Sequence, residues 1–281
     1  MELNVKPDRL IAAPETLSDG ELTLQLIPAK SGETGDALFV QDSKHGLLFV
    51  GDAFMPYLGA PFVAEGSPEG YLGGIAQVLE LRPRRLIHGH SPLTAFFTIE
   101  AMPGLQDALS ELYRSTLSAA QRGRPIADVL RDNLLPAALR SAPAAVQPYL
   151  ITRDNFIQRT YAERAGYWRA NGDGMDHFTR TELVAALDAL GVTTDASYAR
   201  ATSELEARGD ARLALYVANL GLARFPSSRP LKEARQRALT SLRQMTAQTD
   251  PFRFIIYSEL AGQDLPPVQM PAGPLGPAEP R

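Results

Sequence analysis

Four apolar residues in a row, Leu47-Leu48-Phe49-Val50, run without interruption into Gly51-Asp52. A short continuous apolar run closed by turn residues predicts a fully buried strand. The carboxylate at its C-terminal end then lies at the rim of a sheet, where α/β folds place their chemistry. Taken alone, Asp52 reads as a helix N-cap or a turn aspartate. Its neighbours change that balance: Gly32-Glu33-Thr34-Gly35-Asp36 lies upstream, and His88-Gly89-His90 closes a later apolar run.

The flanking sequence supplies the rest of a sheet. Residues 21–28 alternate Leu22, Leu24 and Leu26 with polar side chains, the mark of a half-buried strand. Residues 37–41 and 46–50 are apolar runs joined by a polar loop ending in Gly46, which predicts a hairpin. Residues 53–66 are apolar but rich in Gly and Pro, and read as an irregular loop that lines or covers a pocket. Ser67-Pro68 opens a helix as N-cap and first residue, with Leu72, Ile75, Val78 and Leu79 on its apolar face. A strand over residues 85–88 follows.

Beyond residue 97 the composition shifts to Ala and Leu at helical spacing. Helices are expected near residues 104–122, 125–134, 144–166, 180–190, 195–208, 210–224 and 228–247, with Gly191 and Gly209 as C-caps. Residues 198–242 resemble a single tetratricopeptide-like unit. Residues 250–259 favour helix, and the tail from Pro266 holds six prolines, a composition expected to stay disordered. The fold class is therefore α/β followed by all-α. The expected divisions are residues 1–97, 98–262 and a disordered tail over 263–281.

Composition excludes several functions. The chain of 281 residues has no cysteine, so disulfides, thiolate metal sites and cysteine nucleophiles are ruled out. A net charge of −4 offers no footprint for nucleic acid. No apolar run approaches the roughly 20 residues that span a bilayer, and residues 1–13 lack a signal-peptide pattern, so a cytoplasmic location is expected. No G-x-S-x-G occurs. Gly70 to Gly74 lacks the G-K-[ST] of a phosphate loop and lies within the expected helix. His45 and His177 fall in polar loops.

Glu33, Asp36, Asp52, His88 and His90 remain as candidates for chemistry. A two-metal hydrolase needs carboxylates and imidazoles from several strand ends, with one carboxylate bridging ions about 3.5–4 Å apart. Asp is short enough to bridge, and neutral imidazole binds zinc. On a continuing strand, His88 and His90 point to opposite faces, so one faces the site and the other packs or supports it. Arg153, Tyr161, Tyr167 and Trp168 fit either substrate binding or the anchoring of a loop.

These motifs resemble the second half of the metallo-β-lactamase superfamily: Gly32-Glu33-Thr34-Gly35, then Leu48-Phe49-Val50-Gly51-Asp52, then Gly89-His90-Ser91-Pro92. The glutamate at position 33 is similar to the alkyl sulfatase branch. Arg153-Asp154-Asn155-Phe156, Gly166-Tyr167-Trp168 and Gly209-Asp210 resemble that branch's helical dimerisation domain. The resemblance implies a partial αββα sandwich followed by tetratricopeptide-like helices that form a homodimer. It also implies a zinc-dependent hydrolase of a sulfate or related small-molecule ester. Carried over, Asp52 is the bridging, catalytic ligand, with Glu33 and His90 as further ligands. Asp36, His88, Arg153 and Tyr161 are candidates for supporting or substrate contacts.

Two departures stand out. Asp52 replaces the glutamate usual in the alkyl sulfatases, and the H-x-H-x-D-H motif of the superfamily is absent, since the only histidines are His45, His88, His90 and His177. The expectation is an incomplete chain, matching the later part of a longer enzyme. The complete site would hold two zinc ions, and this chain at most one, weakly. A half sandwich also leaves one sheet face bare, so the isolated chain is expected to be inactive and to self-associate. The rival reading is a non-catalytic, dimerising helical protein with a degenerate α/β remnant.

Overall fold

The computed structural model describes residues 7–58, 65–132, 134–168, 172, 174–247 and 249–263. The expected tail over 266–281 and part of the apolar loop, residues 59–64, lie outside them. The chain divides into two compact units after Gly166. The helical segments nearest the sheet therefore belong with it, whereas composition alone divided the chain at residue 97.

The first unit is built on one sheet in the order β1 (Glu15–Asp19), β2 (Leu22–Pro28), β3 (Leu38–Asp42), β4 (Leu47–Gly51) and β5 (Arg85–His88). The first three pairings are antiparallel, and β4–β5 is parallel. Helix α1 (Pro68–Leu81) makes the crossover between β4 and β5. The helix starts as its sequence dictates: the Ser67 hydroxyl accepts a 2.8 Å bond from the Gly70 amide, and Pro68 has no amide to leave unpaired.

Alternation along the strands separates the two faces. Phe39, Leu48 and Leu86 point inward and are 0–2% exposed. Phe39 of β3 and Tyr71 of α1 meet through Phe54, at ring-centroid distances of 6.2 and 5.5 Å. The opposite face is apolar but open, with Phe49 at 39% and Leu17 at 45% exposure. The expectation that β4 is buried on both faces is corrected here: only its Leu48 and Val50 side is covered.

Helices α2 (Ser91–Phe96), α3 (Met102–Gln121), α4 (Ile126–Arg131) and α5 (Val146–Arg164) complete this unit, with 3₁₀ turns at Ala137–Arg140 and Pro143–Ala145. Helix α1 packs on α3 and α5. Glu69 of α1 accepts hydrogen bonds from Tyr113 of α3 and Arg164 of α5, joining the three helices at one end.

The second unit holds α6 (Arg180–Ala189), α7 (Asp195–Ala207), α8 (Ala211–Arg224), α9 (Arg229–Thr246) and α10 (Pro251–Leu260). Thr179 and Glu182 form a reciprocal capping box at the start of α6. Val184, Tyr198, Leu220 and Leu231 form its core. Among the described residues no helix is long and apolar enough to cross a membrane.

Candidate metal centre

The rim formed by β4 and β5 brings together two of the expected residues, Asp52 and His90. Strand β4 ends at Gly51, whose φ of +53° lies in the left-handed region that glycine tolerates. This turns the chain so that Asp52 sits at the strand end. The Gly89 amide donates to the Gly51 carbonyl at 2.9 Å, which carries β5 past the same point. A Cβ at position 89 would lie 2.4 Å from Asp52 Oδ1, so the carboxylate occupies space that only glycine leaves free. Immediately beyond, His90 Nδ1 meets Asp52 Oδ1 at 2.9 Å.

Glu33 comes from the turn between β2 and β3. Ser31 Oγ accepts from the amides of Glu33 and Thr34 at 2.9 and 3.4 Å. The Gly32 amide donates to the Ala53 carbonyl at 3.1 Å, so this turn is tied to the residue after Asp52. Burial pushes the Glu33 carboxyl above the usual carboxylate range. The Asp52 and Glu65 charges raise it further, and His90 opposes them. Two carboxylates that repel, with an imidazole beside them, form an oxygen and nitrogen donor set suited to zinc. Among the described residues, however, no group of three His, Asp or Glu side chains already forms a metal cage.

The remaining candidates lie elsewhere. Asp36 is exposed on the loop before β3. His88 turns into the core, where Nε2 donates to the Phe97 carbonyl at 2.9 Å, and burial pushes its pKa down to about 4. The alternation along β5 thus sends His88 inward and leaves His90 at the rim. Arg153 is buried on α5, pairs with Asp154 and donates to the carbonyls of Val129 and Leu130 at 3.5 and 3.1 Å. Those are the last-turn carbonyls of α4, so Arg153 caps that helix. Tyr161 Oη donates to the Arg124 carbonyl at 3.1 Å, just before α4.

Three contributors escape motif reading. Glu65 adds a third negative charge near Glu33. Arg159 of α5 donates to the carbonyls of Glu65 and Gly66 at 3.0 and 2.7 Å. Gly66 in turn lies so close to the Gly32-Glu33 backbone that a Cβ there would come within 2.2 Å of the Gly32 carbonyl oxygen. Glu65 stands in an apolar loop with no motif, and only the Gly content of residues 59–74 hints at close backbone packing.

No family model matches the sequence, and no curated protein matches it. Solved structures do share its fold. A double mutant of the sec-alkyl sulfatase PisA1 matches with a TM-score of 0.73 at 16% identity, over 92% of this chain and 42% of that one. The stereoselective inverting sec-alkylsulfatase Pisa1 from Pseudomonas sp. matches with a TM-score of 0.72 at 16% identity, over 93% of this chain and 43% of that one. The chain spans less than half the length of the structures it matches. It therefore has the fold of part of a sec-alkylsulfatase, the fold to which its glutamate turn, Gly-Asp strand end and Gly-His strand end pointed.

Proposed function

We propose that this chain is the Glu33–Asp52–His90 portion of a zinc-dependent hydrolase acting on a sulfate or related ester. The observation that carries this reading is the meeting of Asp52 and His90 at 2.9 Å on the rim of a sheet with the alkylsulfatase fold, beside a Glu33 carboxyl raised by burial and, next, by the Asp52 charge. Bound there, zinc would supply Lewis acidity and an activated water for attack on the ester. The chain's own residues set the stage. Asp52 accepts from His90 Nδ1, which fixes the imidazole tautomer and leaves Nε2 with the lone pair that a metal takes. Glu33 and Asp52 contribute the negative charge that a divalent cation neutralises. The Gly32-to-Ala53 hydrogen bond keeps the two carboxylate-bearing segments in register.

Three donors do not close a two-ion site, so the isolated chain is expected to take up at most one zinc ion, weakly, and to turn over no alkyl sulfate. Calorimetric titration with zinc tests this. Asp52→Asn and Glu33→Gln are each expected to weaken binding by about tenfold or more. Equal zinc affinity in the wild-type and Asp52→Asn chains would overturn the proposal. It would favour instead a non-catalytic helical interaction protein with a degenerate α/β remnant.

A further inference from the structure

We propose that Arg159 of α5 is a positioning residue for the metal centre, one that holds the Glu33 turn in place through the backbone of Glu65 and Gly66. Its role in metal binding rests on the zinc reading above. The guanidinium bonds to neither Glu33 nor Asp52. In a side chain only 12% exposed, Nη2 donates to the Glu65 and Gly66 carbonyls at 3.0 and 2.7 Å, and Nε donates to Glu163 Oε1 at 2.5 Å. Glu163 lies one turn further along α5 and fixes the direction of the fork.

Gly66 carries the effect on to Glu33. Its φ of +65° lies in the left-handed region, and a Cβ there would come within 2.2 Å of the Gly32 carbonyl oxygen and 2.6 Å of the Glu33 carbonyl carbon. Backbone lies on backbone, with no side chain between them to absorb a shift. Residues 53–66 leave Asp52 and return at Gly66, so both ends of this segment meet the Glu33 turn. At one end the Gly32 amide donates to the Ala53 carbonyl at 3.1 Å; at the other Gly66 packs on Gly32. Arg159 fastens that second end to α5.

Helix stability does not account for the arginine. Glu65 and Gly66 immediately precede Ser67, the N-cap of α1, where the macrodipole is positive and a cation is disfavoured. The bonds to the two carbonyls and to Glu163 offset that cost and the cost of burying the charge. Their outcome is a fixed Gly66 and, through it, a fixed Glu33.

Hydrogen exchange and zinc titration of the full chain test the role. Without metal, the Gly32 and Glu33 amides, bonded to Ala53 and Ser31, are expected to exchange about tenfold faster in Arg159→Met, with the β3 amides unchanged. In calorimetric titration with zinc alone, Arg159→Met is expected to bind about tenfold more weakly than wild type. Arg159→Lys, which returns a single ammonium donor, is expected to lose only about two- to threefold. Adding Arg159→Met to Glu33→Gln is expected to weaken binding no further, because the arginine acts through Glu33. Additive losses overturn the proposal, as does unchanged exchange at Gly32 and Glu33. Wild-type zinc affinity in Arg159→Met, beside a weakened Glu33→Gln chain, overturns this role alone. Unchanged affinity in Glu33→Gln overturns the zinc reading and this role together. Arg159→Lys keeps the test decisive if Arg159→Met does not fold.

Discussion

Replacing Gly70 with alanine is expected to destabilise the sheet-bearing unit by roughly 2–3 kcal/mol, whereas replacing Gly73 three residues later is expected to cost almost nothing. The difference lies in what the new methyl group meets. At position 70 it would lie 2.1 Å from the Ser31 carbonyl oxygen. That oxygen belongs to the tightly hydrogen-bonded turn carrying Glu33 and has no rotamer to escape into. At position 73 the methyl would meet Lys30 Cδ at 2.5 Å, and an exposed lysine stem swings aside. Alanine also gains up to about 1 kcal/mol over glycine inside a helix, which offsets any residual cost at 73. Urea denaturation of the two variants checks the contrast, and equal losses would refute it. Gly70→Ala should also displace the Glu33 turn, since position 74 repeats the close approach, with a Cβ 2.5 Å from the Lys30 carbonyl oxygen.

That glycine track was invisible as a function in the sequence, because its meaning depends on a backbone from forty residues upstream lying on the helix. What sequence did reveal followed from local periodicity. The strands over 22–28, 38–42, 47–51 and 85–88, and the helix opened by Ser67-Pro68, came within a residue or two of their expected positions. Strand β1 was missed because Thr16, Leu17, Ser18 and Asp19 are all exposed, so neither of its faces carries a burial pattern. That Asp52 and His90 lie beyond the ends of β4 and β5 was legible from the apolar runs before them. The backbone contacts around them were not: Arg159 donates to carbonyls of the Glu65-Gly66 segment, and Arg153, for which the sequence offered substrate binding or loop anchoring, donates to carbonyls of α4. Carbonyl partners leave no trace in side-chain patterns. The division after Gly166 was equally hidden, since Ala- and Leu-rich helices read alike whether they pack on a sheet or on one another.

Acidification from pH 6.5 to about 4 is expected to remove about 3 kcal/mol of stability through His88 alone, a shift of roughly two and a half units at 1.4 kcal/mol each. Its Nε2 faces the Phe97 carbonyl, an acceptor, so Nε2 carries the hydrogen and Nδ1 is the atom that would gain a proton. Among the described residues Nδ1 is buried without a hydrogen-bond partner. Protonation would therefore place an unpaired N–H and a charge between the rings of Phe54 and Phe97. Burial outweighs the Phe97 carbonyl and the Asp52 charge, both of which favour the imidazolium, and holds the folded pKa at about 4. Between that value and the unfolded 6.5, the unfolded chain binds the proton and the folded chain does not. The contribution is thus complete above pH 6.5, declines as the pH falls, and is exhausted near pH 4. His88→Gln retains a donor for the Phe97 carbonyl but cannot titrate, so its stability should fall less steeply over that interval. Urea midpoints at pH 7 and pH 4.5 separate the two chains, and parallel losses in both would show that His88 does not govern the acid limb.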